Sequence, residues 1–291
     1  MSGEGPINVT DSGGDDTVSG NDSDNIITVT GGNDVINAGS GDDRLVVDYS
    51  ATTAAITGTT TTISSDQGTV TVIGSSIEHY TVSTGPGIDT LTFMDGDNVI
   101  DAGTTGGNTI TVGSGNNTII SGSGIDGFTV GDGNNYIDGG EGANTIAVGN
   151  GSNTIISGSG IDTIIAGNGG NSIEGGEGAN AITTGAGNDV VSSGSAADTT
   201  VTGAGNDIIK DTGGAGGITA GAGHDRLIMD FSNATAAVTN TVTGAESHSG
   251  VLGGTTYSGV EEFHITAGSG NDTLLGGDGA DVLDGGAGAN N

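Results

Sequence analysis

Aspartate and asparagine recur at one fixed position of a nine-residue unit that repeats through most of the sequence. Clear copies are residues 276–284, Gly-Gly-Asp-Gly-Ala-Asp-Val-Leu-Asp, and residues 202–210, Thr-Gly-Ala-Gly-Asn-Asp-Ile-Ile-Lys. The sixth residue is acidic in both copies, glycines precede it, and an apolar residue stands at the eighth position. Carboxylates held at a constant phase beside turn glycines suit a hard divalent cation, whereas acids that only solvate a surface would be scattered.

The charge balance also points to a cation. Thirty-six acidic residues face only Arg44, Arg226 and Lys210, which gives a formal net charge of −33, and aromatic residues make up 3% of the chain. A chain this acidic, with so little apolar bulk, should not fold unless a divalent cation neutralises its carboxylates. The same charge excludes nucleic acid as a partner, because phosphates would be repelled.

Several functional classes are excluded by what the sequence lacks. Cysteine is absent, which rules out disulfides, thiolate zinc sites and cysteine nucleophiles. No apolar run approaches membrane-spanning length, so we expect no membrane insertion. The four histidines, His79, His224, His248 and His264, form no His-Glu-x-x-His motif, and no Gly-x-Ser-x-Gly motif lies on a strand-to-helix turn. We therefore predict that the chain is not an enzyme.

Two inserts divide the repeats into three blocks. The repeats cover residues 2–46, 84–228 and 267–291, with one extra residue near Thr104-Thr105, and the inserts cover residues 47–83 and 229–266. The inserts are related, because residues 43–50 resemble residues 225–232 and the exit residues 77–80 resemble residues 260–263. Alternating Thr and Val residues, as in residues 68–73, predict the strands of a small β-hairpin in each insert.

The nonapeptide Gly-Gly-x-Gly-x-Asp-x-(apolar)-x resembles the repeat of the RTX (repeats-in-toxin) family, and the resemblance covers nearly everything except the inserts. It implies an all-β fold, a parallel β-roll (a β-solenoid with two nonapeptides per coil), here carrying two small β-hairpin inserts. It also implies that multiple Ca²⁺ ions are the cofactor, each held by a sixth-position carboxylate and by carbonyls of the turn.

The resemblance further implies that alternate nonapeptides stack on one another, so that the sixth positions form two columns, provided that the inserts leave the alternation intact. The predicted metal ligands of column one are Asp16, Asp34, Asp89, Asp126, Asp162, Asp198 and Asp272. Those of column two are Asp43, Asp189, Asp207, Asp225 and Asp281.

Asparagine replaces aspartate along the middle of column two, at five successive sixth positions: Asn98, Asn117, Asn135, Asn153 and Asn171. An amide offers one neutral oxygen, so its affinity for calcium is low, but stacked amides can hydrogen-bond to one another. We therefore expect a metal-poor asparagine ladder here. Calcium should be dense along two runs of carboxylates, Asp16–Asp34–Asp89 and Asp189–Asp207–Asp225–Asp281.

The resemblance also bears on location and function. RTX-like proteins usually leave the cell through a type I exporter, and residues 1–6 show no basic region or apolar core of a signal peptide, so we expect an extracellular or cell-surface protein exported without one. The predicted function is a secreted calcium-binding structural protein that assembles into a surface layer, filament or matrix. The alternative is a non-assembling RTX module that acts as the calcium-triggered folding and secretion segment of a larger adhesin or exoenzyme.

A second copy of the chain is the expected partner, and cell-surface polysaccharide is a second candidate. Solenoid ends expose unpaired strand edges, and neither Ser2 nor Asn291 lies in a polar cap. The number of nonapeptides is even, so a second copy could continue both columns in phase, which predicts a head-to-tail polymer.

The charge balance makes folding itself dependent on calcium. We expect a disordered chain in excess chelator and a β-rich chain in millimolar calcium, because the ion binds the folded state only. Circular dichroism over a calcium titration measures this directly. Full β structure in chelator would contradict it.

Overall fold

The computed structural model describes residues 5–11, 13–244 and 247–291, and in these ranges every regular element is a β-strand. The predicted start of the first repeat block, at Ser2, lies outside the described residues. No helix in the described ranges is long and apolar enough to cross a membrane.

The strands are short, and most follow a turn that carries a sixth-position residue. They are β1 (Asn8–Thr10), β2 (Thr17–Ser19), β3 (Ile26–Val29), β4 (Gly32–Asn37), β5 (Arg44–Asp48), β6 (Thr57–Thr59), β7 (Thr62–Ser65), β8 (Gly68–Val72), β9 (His79–Ser83), β10 (Thr90–Phe93), β11 (Val99–Asp101), β12 (Thr109–Val112), β13 (Thr118–Ile120), β14 (Gly127–Val130), β15 (Tyr136–Asp138), β16 (Thr145–Val148), β17 (Thr154–Ile156), β18 (Thr163–Ala166), β19 (Ser172–Glu174), β20 (Ala181–Thr183), β21 (Val190–Gly194), β22 (Thr199–Val201), β23 (Ile208–Asp211), β24 (Gly217–Thr219), β25 (Arg226–Asp230), β26 (Asn240–Thr243), β27 (His248–Leu252), β28 (Thr255–Val260), β29 (Glu262–Thr266) and β30 (Val282–Asp284).

The chain divides into two compact units. The first runs to Glu141 and includes Ala147–Gly149, and the second consists of Gly142–Ile146 and Asn150–Asn291. In the first unit one sheet has the order β1-β3-β5-β9-β11-β13-β15, and the other has the order β2-β4-β8-β7-β6-β10-β12-β14. In the second unit the corresponding orders are β17-β19-β21-β23-β25-β29-β30 and β18-β20-β22-β24-β28-β27-β26.

Parallel pairing between alternate repeat strands produces the coil. Ile119 pairs with Ile137 and Ile155 with Ile173, so the partners are two nonapeptides apart. The extra residue near Thr104-Thr105 lengthens one step, because Ile100 pairs with Ile119. The predicted fold class is therefore confirmed: in the described residues, each compact unit is an all-β parallel β-solenoid, consistent with an RTX β-roll.

The eighth residue of most nonapeptides points into the coil. Ile119, Ile137 and Ile155 are completely buried, and Ile173 is almost so. Each such side chain contributes about 1.5–3 kcal/mol when it is removed from water. Thr200 interrupts the apolar row and is equally buried, with a hydroxyl that has no hydrogen-bond partner.

Each insert forms three antiparallel strands that belong to the same sheet as the neighbouring repeat strands. In the first insert β6, β7 and β8 pair antiparallel, β8 pairs parallel with β4, and β6 pairs parallel with β10. In the second insert β26, β27 and β28 pair antiparallel, and β28 joins β24. The opposite sheet receives a single exit strand, β9 or β29.

The repeat-block boundaries remain predictions, since β5 and β25 run through residues 46–47 and 228–229 without interruption.

Aromatic residues pack at both exit strands. Tyr80 stacks on Phe93 with ring centroids 4.4 Å apart, and Tyr257 meets Phe263 edge-on at 5.2 Å.

Turn glycines allow the backbones of successive coils to lie in direct contact, with no room for a side chain between them. Gly133 has a φ of +139°, and a Cβ built on it would lie 2.0 Å from the carbonyl oxygen of Gly115 in the previous coil. A Cβ placed on Gly127, in strand β14, would have no neighbouring atom within 4 Å. The first glycine is therefore required by its backbone, whereas the second is not.

We expect Gly133→Ala to lower the free energy of unfolding in saturating calcium by about 1–3 kcal/mol, because the turn must shift away from its neighbour. Gly127→Ala is the matched control and should change it by less than about 0.5 kcal/mol. Thermal unfolding followed by circular dichroism measures both. Equal effects of the two substitutions would contradict the close approach between coils.

Candidate metal columns

One oxygen of each column side chain joins neighbouring coils. The N–H of Asp189 donates to Oδ1 of Asp207 at 2.9 Å, and the N–H of Asp207 donates to Oδ1 of Asp225 at 2.8 Å. In column one the N–H of Asn180 donates to Oδ1 of Asp198 at 2.7 Å. The sixth residue therefore fixes the stacking of its turn on the adjacent turn.

The second oxygen of most column aspartates has no partner. Nine of the twelve predicted ligands hold a buried Oδ2 that accepts no hydrogen bond: Asp34, Asp43, Asp89, Asp162, Asp189, Asp198, Asp207, Asp225 and Asp272. Hydroxyl groups near two of them donate to backbone carbonyls instead of to the buried Oδ2. The Ser157 hydroxyl, close to Asp162, donates to the Gly175 carbonyl at 2.9 Å, and the Thr202 hydroxyl, close to Asp207, donates to the Ala220 carbonyl at 2.9 Å.

Burial opposes the ionisation of Asp198 and Asp225, two of these carboxylates. Desolvation raises the pKa of Asp198 to about 6, and the neighbouring charge of Glu177 raises it further. Desolvation likewise raises the pKa of Asp225 to about 6, with the charges of Asp207 and Glu261 adding to the effect. Ionised oxygens buried without donors are costly unless a cation coordinates them.

The donor set fits calcium. Calcium takes six to eight oxygen ligands from carboxylates and backbone carbonyls, and it does not require soft sulfur or imidazole. The stacked turns offer both kinds of oxygen in series. Bound ions would neutralise the column charge and hold each turn to the next.

Three predicted ligands differ from these nine. Oδ2 of Asp126 accepts a hydrogen bond from the Ser121 hydroxyl at 3.0 Å. Asp16 is exposed, and Asp281 is half-buried, with Oδ1 accepting the N–H of Phe263 at 2.8 Å. Their assignment as ligands remains a prediction from the repeat pattern.

The asparagine ladder is confirmed as a hydrogen-bonded structure within each compact unit. Nδ2 of Asn98 donates to Oδ1 of Asn117 at 3.0 Å, and Nδ2 of Asn117 donates to Oδ1 of Asn135 at 3.0 Å. In the second unit Nδ2 of Asn153 donates to Oδ1 of Asn171 at 2.9 Å.

The ladder amides also engage the carbonyls of their own turns. Nδ2 of Asn117 lies 3.1 Å from the Gly115 oxygen and 3.3 Å from the Gly113 oxygen. The amide therefore uses oxygens that a cation would need. This supports the prediction that the ladder is poor in metal.

The inserts interrupt column one, so the predicted run Asp16–Asp34–Asp89 is wrong. Asp34 does contact the Asp16 turn, because the Asp16 N–H donates to it at 3.1 Å. Strands β8, β7 and β6 then separate β4 from β10, and Asp89 accepts instead the N–H of Ile56 at 2.7 Å. Asp272 is likewise separated from Gly216 and accepts the N–H of Val238 at 2.6 Å.

Column two is interrupted by the exit strands, so Asp225 and Asp281 are not neighbours either. In place of the expected aspartate, Glu261 follows Asp225, and its Oε2 accepts the Asp225 N–H at 2.7 Å. Glu78 does the same for the N–H of Asp43 at 2.8 Å. The column register then shifts by two residues, because Leu227 pairs with Phe263 but Leu283 pairs with Ile265.

Four carboxylates at or near the columns were missed by sequence reasoning. Glu78 and Glu261 occupy corresponding places in the matched exits, and that correspondence was the available signal. Asp11 and Asp211 stand at the first position of their nonapeptides, and each has a buried Oδ2 without a hydrogen-bond partner. Aspartate in place of the first glycine was the signal for these two.

Two of the three cationic side chains, those of Arg44 and Arg226, contact residues of the inserts. Arg226 pairs with Glu262 at 2.9 Å, and His264 contacts the same carboxylate at 2.9 Å. These contacts lower the pKa of Glu262, chiefly through the hydrogen bond from Arg226. Arg44 donates to the Thr81 hydroxyl at 2.9 Å.

A parallel β-solenoid with buried columns of acidic and amide side chains defines the class of calcium-dependent β-rolls. The family model of the RTX calcium-binding nonapeptide repeat (4 copies) matches residues 10–45, 95–128, 129–164, 165–200 and 264–291, which is more than half of the chain. The chain belongs to this family, and it is a calcium-binding RTX protein. No curated protein matches its sequence significantly.

Acid should partly replace calcium in stabilising the fold. Asp198 and Asp225 have a pKa of about 6 when folded and a reference value of 3.8, so between these values the folded chain holds protons that the unfolded chain releases. Stability is therefore gained as pH falls through about 6 and lost as pH rises. We expect the calcium-free chain to gain β structure between about pH 7 and pH 4.5, as measured by circular dichroism after exhaustive dialysis.

The calcium titration supplies the opposite check, because protons compete with the ion. Its midpoint should move to higher calcium concentration as pH is lowered from about 7 to about 5.5. A midpoint independent of pH would contradict burial of the column carboxylates.

Proposed function

We propose that this chain is a secreted structural protein whose β-roll folds on meeting extracellular calcium and then self-assembles. The observation that carries the calcium-dependent step is the set of nine buried carboxylate oxygens without hydrogen-bond partners. RTX repeat proteins are generally exported and bind extracellular calcium, and RTX β-roll domains are typically non-catalytic. A structural role outside the cell agrees with both properties.

The switch follows from the charge of the chain. At the low calcium concentration of the cytosol, the net charge of −33 favours an extended chain, which is suited to export. Millimolar calcium outside the cell neutralises the columns and stabilises the coils by mass action. Folding is thereby confined to the compartment where the protein works.

Exposed isoleucines at the fifth position of column-one turns support self-assembly. Ile88 is 67% exposed, Ile125 is 73% exposed and Ile161 is 66% exposed. Each adjoins a sixth-position aspartate, so calcium binding lowers the charge beside an exposed apolar side chain. Large apolar side chains that are exposed at one position of several turns are typical of contact surfaces between proteins. We propose a second copy of the chain as their partner.

The proposal predicts that calcium converts monomers into ordered multimers. Sedimentation velocity and electron microscopy should show monomers in chelator and multimers in millimolar calcium. The triple variant Ile88→Ala, Ile125→Ala and Ile161→Ala should weaken assembly by roughly tenfold or more while leaving calcium-dependent folding intact. Alanine is a suitable replacement because Ala143, Ala179 and Ala197 stand at the fifth position of other turns.

Three results are distinguishable. If the triple variant forms multimers as readily as the wild type, another surface is responsible for assembly. A chain that folds in calcium but remains monomeric at high concentration would support the alternative, a non-assembling RTX module of a larger adhesin or exoenzyme. A chain whose folding and assembly are both unchanged by calcium would overturn the proposed function.

A further inference from the structure

The first residue of a column-one nonapeptide lies beside the sixth-position carboxylate of its own turn. The Ser121 hydroxyl donates to Oδ2 of Asp126 at 3.0 Å. Ser157 lies close enough to Asp162 to lower the pKa of that carboxyl, although burial raises it more. A carboxylate at the first position would therefore reach the metal-facing side of the turn.

Asp11 is such a residue, in the turn that contains Asp16. One ligand atom each from Asp11, Asp16 and Asp34 lie within 4.8 Å of one another. Calcium–oxygen distances of about 2.3–2.6 Å allow two ligands on opposite sides of one ion to stand about 5 Å apart. The spacing of the three carboxylates thus fits a single calcium ion.

Two of these carboxylates point a partnerless oxygen into the cluster. Asp11 is 8% exposed and Asp34 is 1% exposed, and Oδ2 of each is buried without a hydrogen-bond partner. Their Oδ1 atoms are engaged elsewhere, with the N–H of Gly13 at 3.3 Å and the N–H of Asp16 at 3.1 Å. The cluster is therefore more than an exposed group of acids, because it contains desolvated oxygens that a cation would satisfy.

Asp211 is the second first-position aspartate, and its turn has Gly216 where the sixth-position carboxylate should be. Asp211 is 1% exposed, with Oδ1 accepting the Gly213 N–H at 2.5 Å and Oδ2 without a partner. Gly216 stacks on Asp198, since the N–H of Gly217 donates to the Asp198 carbonyl at 2.8 Å. Burial raises the pKa of Asp211 to about 6, and the charge of nearby Asp198 adds to this.

We propose that the first position of the nonapeptide is a second calcium-ligand position in this chain. Asp11 joins Asp16 and Asp34 around one ion, and Asp211 joins Asp198 around another, replacing the carboxylate that Gly216 lacks. The inference rests on calcium binding by the columns and adds two ligands outside the sixth position. Because three carboxylates attract the ion more strongly than one or two, the Asp11 site fills first as calcium rises.

The test uses Asp11→Ser and Asp211→Ser, because serine occupies the first position of native turns at Ser121, Ser157 and Ser193. Native mass spectrometry across a calcium titration counts the bound ions. Each variant should bind one ion fewer than the wild type at low calcium. For Asp11→Ser, the affinity of the tightest class of sites should fall roughly tenfold. The exposed residues Asp22 and Asp278 give the controls Asp22→Asn and Asp278→Asn, which should keep both count and affinity.

Terbium luminescence isolates the Asp11 site. Tyr49 is fully buried, and the charges of Asp34 and Asp11 add to the burial that raises the pKa of its hydroxyl, so the ring lies near this cluster. The chain has four tyrosines and no tryptophan, so tyrosine alone sensitises bound terbium. Tyr49→Phe and Asp11→Ser should abolish the same component of emission, and Asp22→Asn should retain it.

The outcomes separate this inference from the proposed function. If the serine variants bind as many ions as the wild type with unchanged affinity, Asp11 and Asp211 are not calcium ligands. Calcium binding by the sixth-position columns would be unaffected by that result. A wild-type chain that binds no calcium overturns both. Circular dichroism at saturating calcium identifies any variant that fails to fold. In that case Asp11→Asn and Asp211→Asn, which preserve side-chain shape, supply the ion count.

Discussion

Buried carboxylates that cannot be satisfied by the protein alone are the constraint on which this fold depends. Nine of the twelve column aspartates leave one carboxylate oxygen buried and without a donor, and Asp207, for example, uses its other oxygen to hold the adjacent coil. The apolar row cannot compensate for this. Its side chains are removed from water, but their burial supplies no donor for the desolvated oxygens. A cation bound by these oxygens would therefore stabilise the solenoid directly.

The chain has two ways of closing a turn. An aspartate turn presents oxygens only and needs an ion, while an asparagine turn provides both an acceptor and a donor. Asn117 shows the second solution, because its Nδ2 reaches Asn135 and two carbonyls of its own turn. The exchange of one side-chain oxygen for nitrogen thus decides whether a turn keeps an oxygen free for a cation or donates a further hydrogen bond.

The regular part of this architecture was predictable from sequence, and its irregular part was not. A nine-residue phase specifies both the turn and the inward residue, so the coil, the buried row and the asparagine ladder follow from it. The inserts break that phase. Glu78 reaches the column with a longer side chain from a segment that lacks the Gly-Gly-x-Gly pattern of the repeats. The pairing then shifts by two residues before Asn98, because Val82 rather than Tyr80 pairs with Ile100. Only three-dimensional pairing reveals that Asp34 and Asp89 are not neighbours.

The asparagine ladder has a kinetic consequence. Solenoid coils interact only with adjacent coils, so growth of the structure can begin wherever a few turns are self-sufficient. Turns such as those of Asn98 and Asn117 are the nearest to self-sufficient, because their amides hydrogen-bond to one another. They lie in the interior of the sequence, with aspartate turns on both sides. Nucleation can then occur in mid-chain and spread outward in both directions as ions arrive, so the order in which residues emerge from an exporter need not set the order in which they fold.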